Sequence, residues 1–151
     1  MKDKTLEVVV IGAGGIGGIT AAYAKRAGFH VEVVDNLPGL SEKISQEGLE
    51  VSGTGASFTE KIVAYSSIRE LPGKKDLIFL ATKATALCEI AEEIKALLKD
   101  TTVVVCMQNG ICEDMLAKIV GEERTIGCVV GFGGTMHEPG RVEMTSGGEL
   151  V

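Results

Sequence analysis

Hydrophobic and polar positions along this chain fall into blocks whose period changes repeatedly. Residues 6–11 ("LEVVVI") form a short apolar run that ends in glycine, which predicts a strand buried on both faces. A helical period follows over residues 15–27, with Gly28 as its stop, and "HVEVVD" then predicts a second strand. Strand–helix–strand units of roughly 30 residues place their strands parallel, with a right-handed crossover. "LSEKISQEG" predicts a short helix capped by Ser41 and stopped at Gly48. "LEVSG" and "EKIVAYS" predict short strands forming an edge ribbon, and Pro72-Gly73 marks a turn.

The second half repeats the alternation more clearly. "DLIFLAT" predicts a buried strand. Leu87, Ile90, Ala91, Ile94, Leu97 and Leu98 then recur at helical spacing, with Glu92, Glu93 and Lys95 on the opposite side. "TTVVVCMQNG" predicts a strand leading into a loop, "ICEDMLAKIVG" a helix, "RTIGCVVGFGGT" a sixth strand, and "GRVEMTSGGELV" one more. Buried strands alternating with amphipathic helices predict an α/β fold: a Rossmann-like, doubly wound, mostly parallel sheet in a single domain over residues 1–151. The chain reaches Val151 in strand-like sequence with no turn chemistry, which leads us to expect a further domain beyond it.

Gly12-Ala13-Gly14-Gly15-Ile16-Gly17 matches G-x-G-x-x-G. Alone that pattern is weak. Here it leaves a strand and opens a helix, the context that gives each glycine a task. Gly12 makes the sharp turn, Gly14 lets a pyrophosphate approach the backbone, and Gly17 lets the helix pack close to the sheet. The helix N-terminus offers unpaired N–H groups and partial positive charge. A plain glycine turn does not explain Asp35, which closes the second strand where a carboxylate accepts hydrogen bonds from ribose hydroxyls. The cofactor-binding set is therefore Gly12, Ala13, Gly14, Gly15, Ile16, Gly17, Asp35 and Asn36. Asp35 repels a 2′-phosphate and Asn36 is not an arginine, which locally favours NAD; Lys83 or Lys43 reaching the region would favour NADP, so both stay open.

Composition narrows the classes. The 151 residues are 45% hydrophobic and 24% charged, ordinary for a globular protein. A formal charge of −6 argues against nucleic-acid binding. No apolar run approaches the ~18 residues of a membrane span, and no signal-peptide pattern opens the chain, so a cytoplasmic location is expected. The four cysteines form no CxxC pair and only two histidines are present, so no metal site is expected. Cys106 and Cys128 lie in strand-like apolar runs and read as buried, inert thiols. His137, in "TMHEPG", reads as a surface-loop residue, and His30 begins a strand with no visible partner.

Three further stretches, "LIFLATKATAL", "VVVCMQNGICEDML" and "GFGGTMHEPGRVEMTSGGEL", extend the glycine loop into a larger pattern. Together they resemble the N-terminal domain of the ketopantoate reductases (2-dehydropantoate 2-reductases), over essentially the whole chain. The resemblance implies a cytoplasmic enzyme that reduces the ketone of 2-dehydropantoate, or a related 2-oxo acid, with a nicotinamide cofactor, NADP by family default, in pantothenate and coenzyme A synthesis. It implies that Lys83 contacts the cofactor and that Asn109 lies by both nicotinamide and substrate. It also implies a helical C-terminal domain supplying a general-acid lysine, which no residue here matches. The chain departs from the family where Asp35-Asn36 replaces the arginine that favours NADPH. Without the resemblance, Lys83 reads as a solvated charge and Asn109-Gly110 as a turn pair.

A rival of a different class is the nucleotide-sensing Rossmann module of potassium channels and transporters. It shares the glycine loop and the acidic residue, yet it has no evident use for Lys83 or for Gln108-Asn109-Gly110. The partner expected on the leading reading is a small-molecule 2-oxo acid; the pattern leaves oligomeric state open, a homo-oligomer included, and a sheet edge or apolar surface left bare by an absent domain could drive non-native self-association.

Overall fold

The computed structural model describes residues 6–108 and 112–151; Asn109 lies outside the described residues. The first half of the chain runs β1 (Glu7–Ile11), α1 (Gly15–Arg26), β2 (His30–Val34), α2 (Leu40–Glu47), β3 (Leu49–Gly53), β4 (Phe58–Glu60) and β5 (Val63–Tyr65). The second half runs β6 (Lys75–Leu80), α3 (Leu87–Ile94), β7 (Leu98–Cys106), α4 (Glu113–Val120), β8 (Thr125–Gly127), β9 (Gly133–Glu138) and β10 (Arg141–Ser146).

Six strands form a sheet in the order β5-β2-β1-β6-β7-β8, and every neighbouring pair is parallel. This is the Rossmann-like arrangement that the alternating pattern predicts. Side chains of β1 divide between two cores: Val9 and Ile11 face α3 and α4, while Val8 and Val10 face α1 and α2. Each such fully buried apolar side chain contributes about 1.5–3 kcal/mol. That explains why β1 carries no polar alternation.

A second sheet, β4-β3-β10-β9, covers α1. The predicted edge ribbon is therefore corrected. β3 lies inside this second sheet between β4 and β10, whereas β5 joins the main sheet beside β2. The cause is tertiary. Phe58 of β4 packs edge-on against Tyr23 of α1, with ring centroids 5.0 Å apart, and so ties β3 and β4 to that helix. β5 instead continues the parallel ladder, ending where Asp35 N–H donates to the Tyr65 carbonyl at 3.0 Å.

Other boundaries shift for local reasons. Ser41 does not cap α2; Gly39, at φ +80°, occupies the cap position and the Ser41 hydroxyl donates to Glu42. The α-helix over the Leu87 stripe stops at Ile94, because Leu98 already pairs with Lys75 as the start of β7. The single strand expected over residues 124–135 is two, β8 and β9, in different sheets. His137 lies within β9 and pairs with Glu143 of β10, so it is a strand residue and not a loop one. His30 has a partner after all: its Nδ1 lies 2.9 Å from Glu7. Cys106 is fully buried, but Cys128 is only half-buried and follows β8. No helix among the described residues is long and apolar enough to cross a membrane.

One polar contact sits inside the α3-side core. Lys75 Nζ is ion-paired with Glu32 and donates to the Pro72 carbonyl at 2.9 Å, with both charged side chains nearly inaccessible to water. The Tyr65 hydroxyl donates to Glu32 from 3.4 Å; burial first, then the Glu32 charge, raise its pKa above the usual 10.0. Removing one member of a buried pair strands the other. Lys75→Met is therefore expected to lower stability by about 3–5 kcal/mol in denaturant titrations, and Lys75→Met with Glu32→Leu to regain most of it. A single change costing under about 1 kcal/mol would contradict this account of the core.

Candidate functional site: the carboxyl edge of the main sheet

Parallel strands all open toward one edge, and in open α/β sheets ligands bind there. At this edge β1 ends in Gly12, whose φ of +98° few side-chain-bearing residues adopt. The turn is held from both sides. Gly12 N–H donates to the Val34 carbonyl and Ala81 N–H donates to the Ile11 carbonyl, each at 2.8 Å. α1 starts at once, capped by Gly14 with no side-chain hydrogen bond and no acidic residue in its first turn. Its leading N–H groups thus receive no side-chain cap, the arrangement in which helix N-termini can take up anions.

The glycines do different work. A Cβ on Gly14 would meet nothing within 4 Å, so the turn is open above it. A Cβ on Gly17 would lie 1.8 Å from the Gly12 carbonyl oxygen and 3.0 Å from the Ala81 methyl. The tightest neighbour of Gly17 is thus the turn itself. Gly15 has a task the motif does not assign: its Cβ would lie 2.4 Å from the Gly134 carbonyl, so α1 and β9 meet there backbone to backbone.

Asp35 follows β2 and is locked. Its Oδ2 accepts from Ala13 N–H at 2.8 Å and its Oδ1 from Leu37 N–H at 2.9 Å. Ala13 is fully buried and serves through this backbone contact. The carboxylate keeps further lone pairs on both oxygens, directed at its surroundings.

These groups border a cleft of about 760 Å³, within the usual range for cofactor sites. Gly12, Gly14, Asp35, Asn36 and Lys83 of the expected set line it. Ala13, Gly15, Ile16 and Gly17 frame the turn behind it and are not on its surface. Sequence reasoning missed Ser66, Ser67, Thr82, Thr85, Glu93 and Met136, which also line it. Ser66 and Ser67 follow β5. Once β5 is the edge strand of the main sheet, the loop after it must fall at the carboxyl edge, and only the ribbon assignment hid this. Met136 arrives from the second sheet, which no local pattern announces.

Comparison with known proteins now decides the family. The ketopantoate reductase (PanE/ApbA) family profile matches residues 8–151. The chain belongs to that family. It is 29% identical over 148 residues to 2-dehydropantoate 2-reductase of Lactococcus lactis subsp. lactis, covering 96% of this chain and 47% of that protein. The crystal structure of 2-dehydropantoate 2-reductase from Geobacter metallireducens GS-15 matches with a TM-score of 0.87 at 31% identity, covering 96% and 48% of the two chains. The ternary structure of D-mandelate dehydrogenase with NADH and anilino(oxo)acetate matches with a TM-score of 0.84 at 27% identity, covering 95% and 47%. The chain spans about half the length of the curated relatives it matches, 47% and 46% of the first two.

In this ketopantoate reductase fold the two glycines at the turn separate by experiment. Gly14→Ala, at φ −75° with open space around it, is expected to cost no more than about 1 kcal/mol, the penalty for alanine at a helix N-cap. Gly17→Ala should lower the melting temperature sharply or prevent folding. Equal melting temperatures for the two variants would show that α1 does not seat directly against the turn.

Proposed function

We propose that this chain is the dinucleotide-binding half of an NAD(P)H-dependent oxidoreductase. On this reading the enzyme reduces the ketone of 2-dehydropantoate, or of a related 2-oxo acid, in cytoplasmic pantothenate and coenzyme A synthesis. The observation that carries the proposal is the α1 N-terminus, which no side chain caps, opening onto a cleft whose other wall is the Asp35 carboxylate. Family membership supports a reductase over a nucleotide sensor, and D-mandelate dehydrogenase, a structural neighbour, holds NADH.

The residues present fit a dinucleotide. The first-turn N–H groups of α1 hold its pyrophosphate, approached over the open side of Gly14. Asp35 uses its remaining lone pairs to accept the ribose hydroxyl protons. Lys83, exposed at the mouth, supplies a positive charge toward the phosphates, and Asn36 borders the ribose. Asn109 orients nicotinamide and substrate, as the family pattern implies. When bound, the cofactor supplies the hydride. A proton donor must then meet the oxygen that gains negative charge. We assign that donor to a lysine outside these 151 residues, which together with the substrate pocket completes the enzyme.

Cofactor choice follows from Asp35. Its carboxylate is held by two backbone N–H groups, so a 2′-phosphate placed beside it meets a negative charge whose displacement costs both hydrogen bonds. NADH is therefore expected to bind more tightly than NADPH, by roughly tenfold or more, in calorimetric titration of the chain. Asp35→Ala should narrow that gap. Tighter binding of NADPH, lost in Lys83→Ala, would instead mean that Lys83 outweighs Asp35.

A further inference from the structure

Thr82 follows β6, lines the cleft, and has no role in the glycine-loop motif. Its surroundings give its hydroxyl a direction. The Thr82 methyl group faces the turn, 3.1 Å from where a Gly12 Cβ would lie. Its Oγ1 accepts a hydrogen bond from Gln108 Nε2 at 3.3 Å. Gln108 is itself buried, and its Oε1 accepts the Cys106 thiol proton at 2.8 Å.

The order of these contacts matters. Burial raises the Cys106 thiol above its usual 9.0, so it keeps its proton at neutral pH and acts as a donor. A donor beside the amide selects the carbonyl end, Oε1. With Oε1 accepting from the thiol, Nε2 faces Thr82, whose oxygen accepts its hydrogen bond. The hydroxyl's own proton is thereby turned away from Gln108, and no described residue accepts it. Among the described residues the direction left open is the cleft that Thr82 lines, beside the Gly12 turn.

We propose that Thr82 is a dinucleotide-binding residue whose hydroxyl is aimed at a phosphate or ribose oxygen by a hydrogen-bonded chain from Cys106 through Gln108. This rests on the proposed dinucleotide function and adds two residues to it. Thr82 touches the ligand; Gln108 is a positioning residue that acts through Thr82. Cys106 thus has a use in its protonated state, without redox or nucleophilic chemistry.

The test is calorimetric titration of the full chain with NADH and NADPH, with a thermal melt on every variant. Thr82→Ser keeps the hydroxyl and is expected to bind within about twofold of the parent, whereas Thr82→Val should bind roughly tenfold more weakly. Should Thr82→Val melt too early to titrate, Thr82→Ala takes its place. Gln108→Glu preserves shape but reverses the bond, because a carboxylate accepts the Thr82 proton and withdraws it from the cleft. It should weaken binding in the parent and have little further effect alongside Thr82→Val. Unchanged affinity in Thr82→Val would overturn the proposal while leaving the dinucleotide function intact. An equal loss from Gln108→Glu in both backgrounds would also overturn it, since charge repulsion alone acts without Thr82. Binding of neither nucleotide by the unaltered chain would sink both.

Discussion

No side chain fits between the first turn of α1 and the turn that leaves β1. A Cβ on Gly17 would lie 1.8 Å from the Gly12 carbonyl oxygen, well inside any permitted contact. The site depends on this closeness. It brings the positive end of α1 to the sheet edge, between β2 and β6, instead of leaving it a side chain's width above. With the helix seated there, Ala13 N–H reaches Asp35 and the carboxylate is fixed beside the same turn. The helix end proposed to hold an anion and the carboxylate proposed to hold hydroxyls thus share one small piece of backbone.

The rest of the architecture supports that seat from outside. The main sheet is covered by α3 and α4 on one face and by α1 and α2 on the other. α1 is then clamped by the second sheet, with Gly15 and Gly134 in backbone contact. Glycine is required on both sides of that junction, because a Cβ on Gly134 would lie 2.8 Å from the Gly15 carbonyl oxygen. The second sheet consequently presses on the start of α1 and delivers Met136 to the cleft. Far from the cleft edge, the Lys75–Glu32 pair crosses beneath β1, from β6 to β2.

Much of this was legible in the sequence where local and global preferences agree. Unbroken apolar runs marked β1, β6 and β7, and the glycine spacing marked the turn and α1. Legibility failed where pairing over long sequence separations decides the outcome. "LEVSG" and "EKIVAYS" carry nearly the same local signal, yet Phe58 packing draws one into the second sheet while the β2 ladder takes the other. That single misplacement hid Ser66 and Ser67 from the site. The glycine-rich stretch before His137 concealed a break between two sheets, because glycine shortens a strand signal without saying where the chain goes next. Gln108 was visible in the family pattern, but its contact with Thr82 joins residues 26 positions apart and needed coordinates.

The dinucleotide site we propose is the carboxyl-edge cleft, organised by the Gly12 turn. Amide chemical-shift mapping by heteronuclear NMR during NADH titration tests it most directly. The largest shifts are expected on residues 12–17, 35–37, 66–68 and 82–83, four segments joined only at that edge. Saturable shifts confined to β4, or to the exposed apolar residues Ile126 of β8 and Val129 just after it, would place the ligand elsewhere and contradict it.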